Sequence, residues 1–574
     1  MTSILGKDAP LEQSIERMSS LLTSLGFEIE ESDWLNPIPN AWSVRIADKK
    51  NPLFSASGKG RTQLAARASA LGELFERLSC NYYFADYFLG KELAASSFVH
   101  YPSEKWFSVI SDQIPVGLLD DATISHYNMD DELTASMLID TNSGDRKRGI
   151  CALPFIKQRD QELVWIPVNI IGNLYASNGM AAGNTQYEAR VQAISEIFER
   201  HIKTTIISSG ISLPRIPDDV VAMYPAMADS IKSLKDSGFV VYVLDASLGG
   251  KFPLVNVTVI NPQNGGCFAS FGAHPKFEVA FERAITELFQ GRDLDRLNDL
   301  PGLEFDIGKV ADQQNLERHF SDSSGVVSWE LLSSKSDYVY TEWNIEGDAK
   351  AEFDHLCYLI HKVDMDIYIA DFEHLGIYSC RVIVPGMSEI YPVEKLVHGN
   401  NNMAIDLRER LLALAALNIN EIDELFDYLD ILECDEQQLV ADFIGVVADK
   451  GSIFDGMRLV ELKLLMSLSL GNLELALDCS EWVLQLGGLT FKRGQLHRCL
   501  NHLLKFTLLD EAKLSDWGAV LNDLYGSVLL DRCQSMLKGK RVFEDFPVFG
   551  LDLVGMEQHK AVLDVYRRLQ GMKS

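Results

Sequence analysis

Two near-copies of a five-residue segment in this chain have side chains suited to binding a charged ligand. Residues 73–77 read Glu-Leu-Phe-Glu-Arg, and residues 196–200 read Glu-Ile-Phe-Glu-Arg. A helix turns by about 100° per residue, so Ser69, Glu73, Glu76 and Arg77 fall on one face. Phe75 points the other way. Each segment therefore predicts a helix with one charged face and one packing face.

The second segment extends toward the amino terminus as a longer polar stripe. Glu188, Gln192, Glu196 and Glu199 share an arc of roughly 80° on a helix. Carboxylates crowded together without a cation repel one another and raise their own pKa values. The stripe therefore indicates a counter-ion, which a hard divalent metal ion would supply.

A third segment, residues 281–292, completes the set. Its Glu282, Arg283, Glu287 and Gln290 span about 140° of a helix. Ligand sets made only of oxygen favour magnesium over zinc, and arginines beside them indicate a shared anion such as a phosphate. The combination predicts a magnesium–nucleotide site. For any single segment, solvated Glu–Arg pairs on an amphipathic helix are the simpler explanation, and it is the repetition that argues against them.

In their order and spacing, these segments resemble the hallmarks of the YcaO-domain family of ATP-dependent enzymes. The matching stretches are residues 69–77, 188–200 and 282–292, with linking loops at 177–184 and 272–275. The resemblance covers roughly the first two thirds of the chain. Residues 6–9, Ser14 and the acidic helical tail make it similar to the bacterial branch named as an accessory factor for methylthiolation of a small-subunit ribosomal protein.

The resemblance implies a fold, two ligands and a reaction. The fold is a mixed α/β (α+β) ATP-binding domain followed by an all-α, tetratricopeptide-like domain. The ligands are ATP and Mg²⁺, and the reaction is activation of a protein backbone amide or carboxylate by phosphorylation. Azoline-forming members often end in a Pro-x-Pro-x-Pro tail, whereas this chain ends in residues 570–574, Gln-Gly-Met-Lys-Ser. That departure leaves the substrate and the nucleophile open.

The resemblance also assigns roles to individual side chains, although it nominates no general base. It places the following residues on ATP: Lys7, Ser14, Ser69, Arg77, Asn184, Gln192, Arg200 and Arg283. It places the following residues around the metal: Glu73, Glu76, Glu188, Glu196, Glu199 and Glu287. Taken alone, Lys7 and Ser14 would be a surface lysine and a polar helix position.

Composition excludes several other classes of protein. The chain has 574 residues and a formal net charge of −30, which argues against broad binding to nucleic acid or to an anionic membrane. Its nine cysteines include no C-x-x-C pair, so no zinc ribbon or iron–sulfur centre is indicated. No apolar run reaches the length of a membrane span, and acidic residues occupy the amino terminus where a signal peptide would be basic. We therefore expect a cytoplasmic protein.

The order of predicted elements divides the chain near residue 400. A helix is predicted at 10–25, and strands at 42–46, 163–169, 240–244, 254–260, 367–371 and 379–384. After residues 398–402 nearly everything reads as helix. We expect an ATP-binding domain at 1–400, with its motif core at about 57–395, and a helical domain at 401–574. Helices at about 457–468 and 473–486 flank Gly471 like a tetratricopeptide hairpin, which would bind a partner or a second subunit, or form a structural cap.

The sequence lacks the phosphate-binding and catalytic motifs of several other enzyme classes. Residues 58–61 lack the spacing of a phosphate loop, and the sequence has no Gly-x-Ser-x-Gly and no His-Glu-x-x-His. Three functions remain: an ATP-dependent enzyme that supports ribosomal-protein methylthiolation, a non-catalytic ATP-binding adaptor, and a magnesium-dependent phosphohydrolase. The expected partners are a second copy in a homodimer, a radical-SAM methylthiotransferase and a small-subunit ribosomal protein.

Overall fold

The structure of the protein is a computed structural model that describes residues 1–141, 143, 145–396, 403–432, 434–508 and 514–573. The predicted chain break at residues 398–402 lies outside the described residues. In the described part, every named strand precedes residue 384 and only helices follow. The predicted fold class, a mixed α/β region followed by a helical region, is therefore confirmed.

The strands form antiparallel sheets. Their bounds are β1 (Ile29–Ile38), β2 (Ala41–Asp48), β3 (Ser55–Gly60), β4 (Lys105–Phe107), β5 (Ile150–Lys157), β6 (Leu163–Pro167), β7 (Met180–Gly183), β8 (Val240–Asp245), β9 (Leu254–Ile260), β10 (Cys267–Ala273), β11 (Tyr368–Phe372) and β12 (Tyr378–Ile383). One sheet has the order β1-β2-β3, and a second has the order β10-β9-β8. The third has the order β4-β5-β11-β12-β7, with β6 paired to β5.

Helices pack on these sheets, and after β12 they are the only regular elements in the described residues. Their bounds are α1 (Leu11–Ser24), α2 (Gln63–Ser79), α3 (Gly90–Ala94), α4 (Asp121–Tyr127), α5 (Val168–Tyr175), α6 (Gln186–Ser209), α7 (Asp218–Ala222), α8 (Pro225–Asp236), α9 (Phe277–Glu287), α10 (Ile307–Val310), α11 (Gln313–Ser321), α12 (Ala349–Lys362), α13 (Arg408–Leu412), α14 (Ile419–Ile431), α15 (Val440–Phe443), α16 (Leu459–Leu470), α17 (Leu473–Leu486), α18 (Phe491–Leu508), α19 (Leu514–Tyr525), α20 (Ser527–Leu537) and α21 (Glu557–Met572). None of the described helices is both long enough and apolar enough to cross a membrane.

Each motif helix starts just after a strand that packs against it. Strand β3 leads into α2, β7 into α6, and β10 into α9. Two glycines allow the close approach. A Cβ on Gly58 would lie 2.1 Å from the Ala66 carbonyl oxygen, and one on Gly272 would lie 2.2 Å from the Ala280 carbonyl oxygen. Since no side chain fits in that space, the strand backbone lies directly on the helix and fixes where its charged face points.

Two predicted elements end earlier in the structure than the sequence pattern suggested. Strand β6 stops at Pro167, which has no N–H to continue the ladder, and α5 begins at Val168. Helix α9 stops at Glu287, and Gly291 follows with φ 69°, a left-handed value that ends a helical path. The prediction of one helix through residue 292 was therefore wrong in its extent.

The last helix, α21, packs against the amino-terminal region rather than only against its neighbours in sequence. Its Leu563 and Tyr566 share an apolar cluster with Leu74 and Phe75 of α2. The Tyr566 hydroxyl donates a 2.6 Å hydrogen bond to the Val99 carbonyl oxygen. The two halves of the chain are thus joined through a common core, and an independently folding domain ending near residue 400 stays a prediction.

We expect Tyr566→Phe to lower the free energy of unfolding by about 1–2 kcal/mol, because the buried Val99 carbonyl would lose its hydrogen-bond donor. Urea denaturation followed by circular dichroism measures the change. The matched control is Tyr428→Phe, since Tyr428 is 41% exposed on α14. Equal stability of the two variants would show that the Tyr566 hydroxyl does not help to hold α21 in place.

Candidate functional site

The three motif helices meet at one cavity of about 350 Å³, together with the amino-terminal segment and the edge of β3. Every side chain that the sequence nominated for ATP or metal lines this cavity. They are Lys7, Ser14, Ser69, Glu73, Glu76, Arg77, Asn184, Glu188, Gln192, Glu196, Glu199, Arg200, Arg283 and Glu287. Residues separated by up to 280 positions are therefore brought together, while their individual roles stay predictions.

One corner of the cavity joins the amino-terminal segment to α6. Glu188 accepts hydrogen bonds from the Lys7 ammonium at 3.2 Å, from the Asp8 amide at 2.9 Å and from Asn184 at 2.9 Å. Ser14 donates to the Asn184 side-chain oxygen at 2.8 Å. Burial opposes ionisation of Glu188, but the Lys7 charge and the Asp8 amide hold its pKa below the usual range. As placed, this carboxylate orients Lys7 and the first residues of the chain.

The opposite wall carries carboxylates from both α2 and α6. Burial, with a further contribution from Glu196, raises the pKa of Glu73. Burial and the charges of Glu196 and Glu73 raise the pKa of Glu76 well above its usual range. The raised pKa values mean that the ionised form of these carboxylates is unfavourable here, and a bound cation would stabilise it.

Arginines of the same two helices pair with carboxylates of this wall. Arg77 forms an ion pair with Glu73, and Arg200 pairs with Glu196 at 2.9 Å. The Arg200 guanidinium also lies 4.1 Å from the centre of the Phe320 ring. These contacts hold both guanidinium groups near the carboxylates of their own helices.

Arg283 reaches the cavity from α9 and is fixed by neutral partners. It donates to the Ala273 carbonyl oxygen at 2.9 Å and to the side-chain oxygen of Gln192. Burial lowers its pKa, while Glu199 and Glu196 favour its charge. Because its hydrogen bonds go to neutral groups, the positive charge is left to attract a phosphate.

Two cations at this cavity were missed by the sequence analysis. Lys59, on β3, forms an ion pair with Glu287, and Arg61 lies 3.4 Å from Glu278 and 3.8 Å from Glu282. Both belong to residues 58–61, which lack the spacing of a phosphate loop. Successive side chains of a strand point to opposite faces, and this pattern could have indicated Lys59. Because Gly58 and Gly60 face α2, Lys59 points away from α2.

The donor set fits Mg²⁺, since it consists of carboxylate oxygens, and among them burial raises the pKa values of Glu73 and Glu76. Their oxygens do not converge on a single point. Among the described residues, the group of three possible metal ligands with all donor atoms within 4.8 Å lies elsewhere, at His100, Asp140 and Cys151. That group is explained by a 2.8 Å bond between His100 and Asp140, and burial keeps Cys151 as a thiol by raising its pKa.

Comparisons with known proteins identify the family of this chain. Residues 57–388 match the model of the YcaO cyclodehydratase, ATP- and Mg²⁺-binding, family, and residues 404–574 match that of the YcaO cyclodehydratase C-terminal domain. The chain is 46% identical to the ribosomal protein S12 methylthiotransferase accessory factor YcaO of Escherichia coli, over 100% of this chain and 99% of that protein. It is 45% identical to an uncharacterized protein of Haemophilus influenzae, over 100% of this chain and 98% of that one.

Solved structures show more distant similarity. YcaO from Methanopyrus kandleri, bound with AMPPCP and Mg²⁺, is 17% identical with a TM-score of 0.38, covering 66% of this chain and 92% of that one. A heterocyclase in complex with substrate and cofactor is 16% identical with a TM-score of 0.44, covering 68% of this chain and 56% of that one. From the matched ATP- and Mg²⁺-binding family, the ligands of this chain are ATP and Mg²⁺.

We expect Glu76→Gln to stabilise the ligand-free protein by about 1 kcal/mol, because it removes one of several crowded carboxylates. The same variant should lose the thermal stabilisation that Mg²⁺ and ATP together give the parent. Thermal denaturation with EDTA, and with Mg²⁺–ATP, measures both effects.

The control is Glu278→Gln, which changes a more exposed carboxylate at the rim of the same cavity. It should keep the Mg²⁺–ATP effect. If Glu76→Gln instead destabilised the ligand-free protein and kept that effect, Glu76 would be a structural ion-pair partner rather than a metal ligand.

Proposed function

The chain belongs to the YcaO family, and we propose that it activates a protein amide or carboxylate by phosphorylation, as an accessory factor for β-methylthiolation of a small-subunit ribosomal protein. The observation that carries this proposal is the convergence of all nominated side chains on one cavity. The name of the Escherichia coli relative supports the ribosomal substrate.

The geometry supports phosphoryl transfer because that reaction depends mostly on positioning and charge neutralisation. Arg283 is held by neutral partners, and Arg200 is held between Glu196 and Phe320. Both guanidinium groups would bind phosphate oxygens and hold the terminal phosphoryl group in line with the acceptor. Gln192, which fixes Arg283, would act as a neutral positioning residue.

The amino-terminal corner would bind the nucleoside end of ATP. Lys7 and Ser14 are held in place through Glu188 and Asn184. The hydrogen bonds of Glu188 occupy both of its oxygens in the ligand-free structure. We therefore propose that Glu188 positions Lys7, in addition to any part that it takes in the metal shell.

Glu76, Glu196 and Glu199 are the carboxylates that would hold Mg²⁺, with Glu73 and Glu287 orienting or completing the shell. When bound, Mg²⁺ supplies positive charge to the phosphate oxygens. Glu199 is held in place by the chain itself, because it accepts a 3.3 Å hydrogen bond from the Ala273 amide. This bond joins α6 to the end of β10.

A non-catalytic adaptor is the second candidate function, and one observation favours it. Trp517, Val520 and Leu524 are exposed along one side of α19. Apolar side chains spaced in this way form a continuous helix face suited to a protein partner. That partner would be a second copy of the chain or a radical-SAM methylthiotransferase, and ATP would then serve as a structural ligand.

Mass spectrometry of ribosomal proteins tests the proposal in cells that lack this gene. We expect methylthiolation of a small-subunit protein to fall, to be restored by the parent chain, and not to be restored by Glu199→Gln. Restoration by a Glu199→Gln chain that no longer releases ADP from ATP would reject the enzymatic role and support the adaptor. Unchanged methylthiolation without the gene would reject both.

We expect Arg200→Lys to lower the rate of ADP release about tenfold or more, because lysine keeps the charge but loses the planar fork that binds two phosphate oxygens. The control is Arg190→Lys on the same helix, since Arg190 pairs with Asp371 outside the cavity. Calorimetry of ATP binding and an ADP-release assay measure both variants. Parent-like rates for Arg200→Lys would make Arg200 a packing residue.

A further inference from the structure

The carboxyl-terminal end of α11 packs against α6 and contacts three positively charged side chains. Each of them donates a hydrogen bond to a backbone carbonyl oxygen at that end: Lys203 to His319 at 2.5 Å, Arg200 to Phe320 at 3.2 Å, and Arg292 to Asp322. The last carbonyl groups of a helix have no partners within the helix, and they attract cations. Two of the three motif segments therefore meet at this end of α11.

Arg292 is the last residue of the third motif segment, but it is not part of the cavity lining, which includes Glu287 and Gln290. Its guanidinium lies 3.6 Å from a carboxylate oxygen of Asp322 and 4.8 Å from the centre of the Phe268 ring on β10. The contacts of Arg292 in this structure therefore join the segment after α9 to the end of α11.

Lys203 on α6 is the most deeply buried of the three side chains. The residue is 9% exposed, and its ammonium group donates to the His319 carbonyl oxygen and to the Ser323 hydroxyl at 2.7 Å. Burial lowers the pKa of Lys203 to about 7, although the charge of Glu199 opposes that shift. An apolar side chain would fill the same space without the cost of burying an ammonium group. What Lys203 adds is its pair of bonds to the end of α11.

Lys203 lies on the face of α6 that carries residues of the ATP cavity. It follows Glu199 by four positions and Arg200 by three, so the three side chains are neighbours on the helix surface. Glu199 and Arg200 line the cavity, whereas Lys203 contacts α11. The same end of α11 holds Arg200 through the carbonyl oxygen of Phe320 and through its ring. The position of α11 therefore sets where the Arg200 guanidinium lies.

A purely structural explanation would make Lys203 one more bond that holds α11 in the fold. Helix α11 already has bonds of that kind. The His319 ring Nε2 and the Asn315 side-chain amide each donate to the Val326 carbonyl oxygen at 3.0 Å. These bonds join α11 to the loop that follows it, whereas the bonds from Lys203 and Arg200 join its end to α6.

We propose that Lys203 is a positioning residue for the phosphate end of ATP: it fixes the end of α11 against α6, and that end directs the Arg200 guanidinium toward the phosphates. Arg292 supports the same end from the segment after α9. This inference rests on the proposed function, in which Arg200 binds phosphate oxygens. It makes α11 part of the nucleotide site, although the lining of the cavity contains no residue of α11.

Loss of the Lys203 ammonium group has a defined consequence for Arg200. Its Nε and Nη2 contact Glu196 on the same helix, and its Nη1 donates to the Phe320 carbonyl oxygen. Once the end of α11 is released, the guanidinium keeps the first partner and loses the second. It would then pair more closely with Glu196, a carboxylate that the proposed function assigns to Mg²⁺. We therefore expect weaker binding of the phosphates.

A double-mutant cycle on the full-length chain tests this dependence. Calorimetry measures the binding of AMPPCP, a non-hydrolysable ATP analogue, with Mg²⁺ to the parent, Lys203→Met, Arg200→Lys and the double variant. We expect Lys203→Met to weaken binding about fivefold in the parent but less than about twofold in the Arg200→Lys background, because the planar fork that Lys203 positions is then missing. The control Lys463→Met removes a lysine that pairs with Glu436 in the helical part, and it should leave the affinity unchanged.

A merely structural role of Lys203 predicts the same loss of affinity in both backgrounds, and that result would overturn the inference. Parent-like affinity of Lys203→Met would also overturn it. If Arg200→Lys weakens binding while Lys203→Met does not, the positioning role fails and the proposed function stands. If Arg200→Lys binds as tightly as the parent, Arg200 is not a phosphate ligand, and both the inference and this part of the proposed function fail.

Ser323→Ala keeps the test decisive if Lys203→Met does not fold. It removes one of the two oxygens that accept hydrogen bonds from Lys203 and leaves the ammonium group in place. We expect Mg²⁺–AMPPCP to bind about two- to threefold more weakly. The matched control is Ser324→Ala, since Ser324 is bonded to Asp322 instead, and it should bind like the parent. Equal affinities of the two serine variants would overturn the inference.

Discussion

The fold brings the carboxylates of several glutamates into one partly enclosed cavity, and their negative charge has to be balanced there. Glutamates from α2, α6 and α9 line it, and burial raises the pKa values of Glu73 and Glu76. The chain compensates part of this charge with its own cations, among them Lys59 and Arg283. A bound Mg²⁺ would balance the remaining carboxylates, and the phosphates of ATP would be attracted both to the metal ion and to the arginines. An acidic chain with a charge of −30 can bind ATP only through such a local concentration of cations.

Close backbone packing makes that balance possible. Charged side chains on three helices must point inward at fixed separations, and a helix supported only by side-chain contacts can shift to relieve repulsion. Here β3 and β10 lie directly against α2 and α9 because Gly58 and Gly272 have no side chain. Thr62 and Thr185 cap the starts of α2 and α6, because their side chains accept hydrogen bonds from backbone N–H groups of the first helical turn. The scaffold therefore withstands the repulsion that its own glutamates create.

The carboxyl-terminal helices extend this scaffold to a second cavity of about 430 Å³, which Cys80, Arg381 and Tyr566 help to line. Helix α21 contributes Tyr566 to the lining, and the Tyr566 hydroxyl donates a hydrogen bond to the Val99 carbonyl oxygen in the segment between α3 and β4. The amino-terminal region therefore gains a cavity wall from the far end of the chain. A partner that bound to the helical part would act on a structure continuous with this wall, which connects the enzymatic and adaptor hypotheses physically.

Local sequence patterns predicted the motif helices, their charged faces and a magnesium–nucleotide site. Helical spacing is a local property, and like charges on one face require a counter-ion wherever the helix lies. Resemblance to a family then nominated Lys7, Ser14 and Asn184, which have no local signal of their own. The extent of α9 was wrong, since a helical pattern does not reveal a turn at Gly291.

Tertiary structure alone decided the rest. Lys59 lies in a segment without phosphate-loop spacing, and only the placement of β3 beside α9 shows that it pairs with Glu287 at the cavity. Arg381, between Cys380 and Val382, is one charge in a largely apolar strand, and only the fold shows that its guanidinium donates to the carbonyl oxygens of Ile171 and Ala176. The return of α21 to the amino-terminal core had no sequence signal either. Whether a buried charge is compensated depends on residues hundreds of positions away, and such contacts carry no periodicity that a sequence can reveal.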